Sequence, residues 1–251
     1  MTDHVTITTQ NRVTTVTMAR PDKRNAISQA MYAKMAQALR DYGESDDARA
    51  LVITGEGEYF TAGNDLKDFA TGSDGDGPAP VVQFLEAISS CPKPVIGAVN
   101  GPAIGVGLTM LLHCDLAFAS DTATMSAPFV GLGLVPEAAS SLLLPQAVGV
   151  AVANDIFMTG RALTASEALN FGLISRVFAP EEFADQVHAI AAQVASSAPT
   201  ALKQTKALVL HQRDLIASQM ATEGKIFRDQ LASPDFAESV AAKMQGRAPV
   251  F

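Results

Sequence analysis

One carboxylate set among apolar residues stands out as a candidate for proton chemistry: Glu137, in Leu134-Val135-Pro136-Glu137-Ala138-Ala139-Ser140-Ser141. Burial in such surroundings disfavours the charged form and strengthens the group as a base toward a carbon acid. Glu137 also reads as an ordinary acid at the start of the following helix, where the helix dipole favours negative charge. Two turns of small residues offer complementary chemistry. Gly101-Pro102-Ala103-Ile104-Gly105-Val106-Gly107 leads into a helix from Val106, whose first N–H groups favour developing negative charge. Thr61-Ala62-Gly63-Asn64-Asp65-Leu66-Lys67-Asp68-Phe69 is a second turn, with Asp65 capping a short helix. A hole for an oxyanion needs N–H donors converging from separate segments, and two such turns can supply them. A dinucleotide fingerprint in the first turn is weak, because Gly105 and Gly107 lack the third glycine and a downstream ribose acid.

These residues need a frame. Val5–Thr8 and Arg12–Met18 alternate as strands, with Gln10-Asn11 between them as a turn. Ser28 caps a helix to about Glu44, with Ala30, Met31, Met35, Ala38 and Leu39 on one face. Leu51–Thr54 and Pro94–Val99 read as buried strands, Val106–His113 as an apolar helix, and 115–119 and 124–126 as further strands. The run 71–80, all turn-formers and acids, reads as a mobile loop. From Gly149 the pattern becomes helical, over 151–158, 165–171, 181–197, 200–228 and 236–244. The expectation is an α/β core over residues 1–195 followed by a helical region over 196–251.

With 251 residues, 48% hydrophobic and 18% charged, the chain has ordinary globular composition. A net charge of -8 argues against nucleic-acid or anionic-membrane partners, so an anionic ligand requires a local cluster of cations. Cys91 and Cys114 form neither a disulfide framework nor a metal pattern and read as buried thiols. His4, His113, His188 and His211 are scattered without metal spacing. The start has no signal-peptide pattern and no apolar run is long enough to span a bilayer, so a cytoplasmic protein is expected.

Several segments resemble the enoyl-CoA hydratase/isomerase (crotonase) family in order: 20–27 (Arg-Pro-Asp-Lys-Arg-Asn-Ala-Ile), 60–66, 94–107, 162–173 and the terminal Arg247-Ala248-Pro249-Val250-Phe251. The resemblance implies a spiral of ββα turns with a helical C-terminal region that packs trimers or pairs of trimers. It places oxyanion-hole N–H donors at Asn64 and Val106 and implies an acyl-CoA thioester as substrate, with no metal and no cofactor beyond the CoA that the substrate carries. Family hydratases carry glutamates where this chain has Thr109 and Phe129, and neither can act as a base near neutral pH. Pro-Glu-Ala-Ala-Ser-Ser at 136–141 and Gly-Asn-Asp-Leu at 63–66 resemble peroxisomal-type Δ3,Δ2-enoyl-CoA isomerases, in which one carboxylate shuttles the proton. The expectation is therefore an isomerase with Glu137 as base. A 2-enoyl-CoA hydratase, a ring isomerase of aromatic-CoA catabolism and a non-catalytic CoA-ester-binding module are the rivals. Substrate contacts are expected from Lys23, Arg24, Ala26, Ala62, Asp65, Leu66, Lys67, Gly105, Phe129 and Pro136, with Arg228 or Arg247 as further cations. Gly246 stands where the family has a CoA-binding lysine.

Overall fold

The computed structural model describes residues 4–65, 68 and 77–251. Strands β1 (Val5–Gln10) and β2 (Val13–Met18) form an antiparallel hairpin. Its two-residue turn is Asn11-Arg12, one position later than the sequence suggests, and both residues adopt positive φ, 49° and 66°. That conformation matches the twist of the flanking strands, which explains the turn despite its lack of glycine. Helix α1 (Gln29–Glu44) follows, with the Ser28 hydroxyl accepting from the Met31 N–H. Strand β3 (Ala50–Gly55), helix α2 (Pro80–Ser90) and strand β4 (Val95–Val99) continue the alternation.

Short β5 (Ala103–Ile104) enters helix α3 (Val106–Thr109), which tightens into a 3-10 turn over Met110–His113. Next come β6 (Leu116–Ser120), β7 (Thr124–Ser126), α4 (Ser140–Val148), α5 (Val150–Thr159), β8 (Leu163–Thr164), α6 (Ala165–Asn170) and β9 (Arg176–Phe178). The main sheet runs β1-β2-β3-β4-β6-β9, parallel from β2 onward, and a second sheet runs β5-β7-β8. This is the α/β fold expected from the resemblance.

The period of two along the strands divides the core. Leu51, Ile53, Val95 and Val99 face Met31, Met35 and Leu39 of α1. Val52, Ile96, Ala98 and Phe118 pack on the other side against Phe183, Val187, Ala191 and Ala195 of α7 (Pro180–Ser196). With both faces covered, the central strands β3, β4 and β6 are apolar except at Thr54 and Ser120.

The helical end departs from expectation at one point. The helix expected over 200–228 is two, α8 (Pro199–Val209) and α9 (Arg213–Leu231), before α10 (Pro234–Gln245). Each is pinned by its own cation. Lys206 of α8 is buried and donates to the Lys93 carbonyl at 2.8 Å and Asp115 at 2.7 Å. Arg213 of α9 donates to the carbonyls of Ser90 and Cys91. The chain bends between the two anchors without a glycine or proline to announce it. Among the described residues no helix is long and apolar enough to cross a membrane. Most of the expected loop 71–80 lies outside the described residues; α2 begins at Pro80.

Candidate active site

The first wall of the site is main chain. Asn25 is fully buried, accepts from the Arg20 N–H, and donates to the carbonyls of Glu56 and Tyr59. The Thr61 hydroxyl donates back to the Asn25 carbonyl at 2.7 Å. Residues 61–64 are thereby held between two neighbours: Ile27 bridges Asn64 and Thr61 bridges Ala103. The approach is close enough to require glycine. A Cβ on Gly63, at φ 90°, would lie 2.9 Å from the Ile104 carbonyl oxygen, and one on Gly107 would lie 2.7 Å from the Thr61 methyl.

The Asn64 and Val106 main chains consequently come to one cavity, and neither N–H donates to another described residue. Val106 opens α3 after Gly105, so its N–H is one of the unpaired donors of a helix start. The Asn64 side chain is held from behind by the Tyr32 hydroxyl of α1, which donates to Oδ1 at 2.5 Å.

The second wall is built by side chains around Glu137. Ala138 and Ala139 both adopt positive φ, 59° and 55°, a conformation that costs non-glycine residues energy. Surrounding contacts hold it. The Ser140 N–H returns to the Glu137 carbonyl at 3.0 Å, and the His113 ring bonds the Ala138 carbonyl through Nε2 at 2.8 Å. Burial lowers the His113 pKa, favouring a neutral ring that donates to this carbonyl.

This strained turn separates Glu137 from α4, which begins three residues later. Its side chain serves no helix start: Oε1 accepts from the Thr109 hydroxyl at 2.5 Å. Glu137 is 9% exposed, and burial pushes its pKa from 4.5 up to about 7; the Thr109 bond opposes the rise and the nearby Glu223 charge adds to it. Thr109 stands three residues after Val106, about 4.5 Å along the helix axis, so the free N–H and the carboxylate flank the same helical turn.

The cavity measures about 690 Å³ and is lined by Lys23, Ala26, Ala62, Asn64, Asp65, Gly105, Val106 and Phe129, all expected there. Glu137 is not itself in the lining; it is joined to it through Thr109, one helical turn after Val106, which does line the cavity. Asp65 forms an ion pair with Arg20 at 2.8 Å, and Arg20 itself lines the cavity. Two expected residues are elsewhere. Arg24, at φ 53°, lies over the Tyr59 ring at 5.4 Å in a separate depression with Asp22, Glu56 and Glu58. Pro136 is outside the lining. Leu66 and Lys67 lie outside the described residues.

The sequence profile of the enoyl-CoA hydratase/isomerase family matches residues 8–251. The chain belongs to this family. A solved enoyl-CoA hydratase/isomerase from Pseudoalteromonas atlantica is 49% identical, superposes with a TM-score of 0.97, and is covered over 99% of this chain and 100% of its own. Rattus norvegicus enoyl-CoA delta isomerase 2 is 36% identical over 82% of this chain, which spans 54% of the rat protein's length. Carnitinyl-CoA dehydratase of Salmonella arizonae is likewise 36% identical, over 86% of this chain and 83% of the enzyme. Two reactions at the same identity leave the choice to the site.

Within this enoyl-CoA hydratase/isomerase family member, the helical end contributes residues that sequence reasoning missed. Phe227 of α9 and Lys243 of α10 both line the cavity. Lys243 could have been found by shifting one turn upstream from Gly246, which takes φ 64° and ends α10. Arg247 is engaged elsewhere, in a two-pronged ion pair with Glu238.

Proposed function

We propose that this protein is an enoyl-CoA isomerase that moves a 3-enoyl double bond into conjugation with the thioester. The observation that carries the reading is the Thr109–Glu137 pair: where a hydratase would place a second acid, this chain places a hydroxyl that donates to Glu137. Glu137 removes a proton from C2 of the acyl chain. The electron pair moves onto the thioester oxygen, where the N–H groups of Asn64 and Val106 stabilise the negative charge. Returning the same proton to C4 re-forms the carbonyl and leaves the double bond between C2 and C3. Atoms and electrons balance without a metal or redox partner, so the CoA of the substrate is the sole cofactor moiety the reaction needs. A base near neutral pKa suits a carbon acid, since it is ionised at working pH and retains basicity.

Lys23 and Lys243, both exposed at the cavity rim, are the proposed cations for the CoA phosphates, and Phe129, Leu132, Leu134 and Phe227 the apolar acyl wall. The test is parallel assay of a 3-enoyl-CoA and a 2-enoyl-CoA with products weighed by mass spectrometry. Isomerisation without mass change should far outpace gain of water; hydration at an equal or greater rate would overturn the reading.

We further propose a homotrimer or a pair of trimers. Leu208 and Val209 of α8, Leu215 of α9 and Met244 of α10 leave large apolar side chains exposed on the helical end. Light scattering should give three or six chain masses, and a monomer at assay concentration would refute the assembly.

A further inference from the structure

A second buried carboxylate sits behind the proposed base. Glu223 of α9 is 5% exposed, and its Oε1 accepts from the Ser141 N–H at 3.0 Å and from the Ser141 hydroxyl. Its Oε2 is buried with no hydrogen-bond partner among the described residues, as is the Oγ of neighbouring Ser140. Among those residues no lysine, arginine or histidine forms an ion pair with Glu223. Burying a carboxylate with one oxygen unsatisfied and no counter-charge is costly, and a glutamine or a shorter residue would avoid much of the cost.

The location indicates what that cost secures. Helix α4 has no side-chain cap of its own, because its N-cap position is Ala139 in left-handed conformation. Glu223 supplies the missing acceptor from a distant part of the chain, bonding the second helical N–H. The capped residue lies four positions after Glu137, across two alanines at positive φ. The bond to Ser141 therefore anchors the far end of the turn that carries Glu137. Gln219, one turn before Glu223, donates to the Ser141 hydroxyl at 2.8 Å and braces the same contact. Phe227, one turn after it, lines the cavity.

We propose that Glu223 is a positioning residue for Glu137: by holding the Ser141 N–H and hydroxyl it fixes the turn that aims the base. The inference rests on the isomerase reading for its rate predictions, though not for its titration. The ionisable and polar groups around Glu137 are Tyr32 of α1, Thr109 of α3, His113 of the 3-10 turn after α3, and Glu223 of α9. Tyr32 is a buried phenol held un-ionised by burial and by the Glu137 charge. His113 is kept neutral by burial, with Lys206 of α8 acting in the same direction. Thr109 lowers the Glu137 pKa and Glu223 raises it.

Two substitutions separate charge from position. Glu223→Gln keeps an oxygen for Ser141 and removes the charge, and Glu223→Asp keeps the charge and withdraws it by one methylene. Specific carbon-13 labelling of glutamate carboxyls, with Glu137→Gln assigning the resonance, reads the Glu137 titration in the whole protein without substrate. In Glu223→Gln the midpoint should fall by roughly half a pH unit or more, and the acid limb of kcat/KM for a 3-enoyl-CoA should move down with it. In Glu223→Asp the midpoint should stay near wild type while kcat falls several-fold. An unmoved Glu137 midpoint in Glu223→Gln overturns the proposal. So does wild-type kcat in Glu223→Asp, which decides the matter alone if Glu223→Gln does not fold. A midpoint that moves in a protein without isomerase activity upholds the inference and removes the isomerase reading.

Discussion

On the Asn64 and Val106 side of the cavity, geometry comes from main-chain bridges, a buried asparagine and glycines at close approaches, and the groups available are main-chain N–H donors that every residue except proline leaves in place. On the Glu137 side, two alanines hold a strained turn, and side chains from three separate elements, Thr109, His113 and Glu223, keep it. The first side should tolerate side-chain change and fail on loss of an N–H. The second should be sensitive to each side chain, in rate and in pH dependence. Substitutions on either side test this contrast.

The largest effect belongs to Glu137→Gln, which keeps the shape and removes the base. Turnover should fall by about 10²- to 10⁴-fold, with CoA-ester affinity nearly unchanged. Near-wild-type turnover would return Glu137 to a purely structural role. The same variant has a stability signature of opposite sign. Because the folded-state pKa is raised from 4.5 to about 7, the wild type binds more protons folded than unfolded across that window. The stability that this group contributes is present below about 4.5 and lost as pH rises through about 7. Each tenfold difference in proton affinity between the folded and unfolded chain is worth about 1.4 kcal/mol. Glu137→Gln should therefore melt higher than wild type at pH 8, by an amount on the order of 3 kcal/mol, and lose that advantage near pH 5.

On the main-chain side, Val106→Ala should leave turnover close to wild type, whereas Val106→Pro, which deletes the N–H, should lose about a hundredfold or more. Equal rates for the two folded variants would mean that the thioester oxygen is held elsewhere. A smaller effect is expected for Thr109→Val, which preserves shape and removes the donor to Glu137. The hydroxyl lowers the base's pKa, so the acid limb of kcat/KM should move to higher pH. Activity at pH 6 should fall by about threefold to tenfold and recover at pH 9. A loss independent of pH would show that Thr109 only packs.

What could be read from the chain follows the same division. The Asn64 and Val106 positions were legible because the glycines beside them are restricted locally, Gly63 and Gly107 by close approach and Gly105 by its φ of 60°, and a short motif records it. The hairpin, α1 and the buried strands were legible from period and caps. Glu137 was visible as an acid among apolar residues, but the groups that tune it were not. Thr109 read as the loss of an acid, when its hydroxyl in fact donates to Glu137. Tyr32, Glu223, Phe227 and Lys243 come from positions 32 to 243, and their approach depends on tertiary packing that no local pattern encodes. The break between α8 and α9 escaped for the same reason, since Lys206 and Arg213 are anchored to distant carbonyls.

Lys243 tests whether the helical end takes part in binding or only covers the core. It lines the cavity from α10, is exposed, and forms no ion pair among the described residues, whereas Arg20 at the same cavity is committed to Asp65. An exposed cation meeting a phosphate gains little in high dielectric, about 0.2 to 1 kcal/mol. Lys243→Ala should therefore raise KM for an acyl-CoA by about 1.5- to fivefold, leave kcat unchanged, and lose its effect in high salt as the charge is screened. With an acyl-pantetheine substrate, which lacks the nucleotide phosphates, wild type and variant should be indistinguishable. A KM effect that persists with acyl-pantetheine would place Lys243 against the acyl or pantetheine portion, and would turn α10 from a phosphate-binding rim into part of the acyl wall.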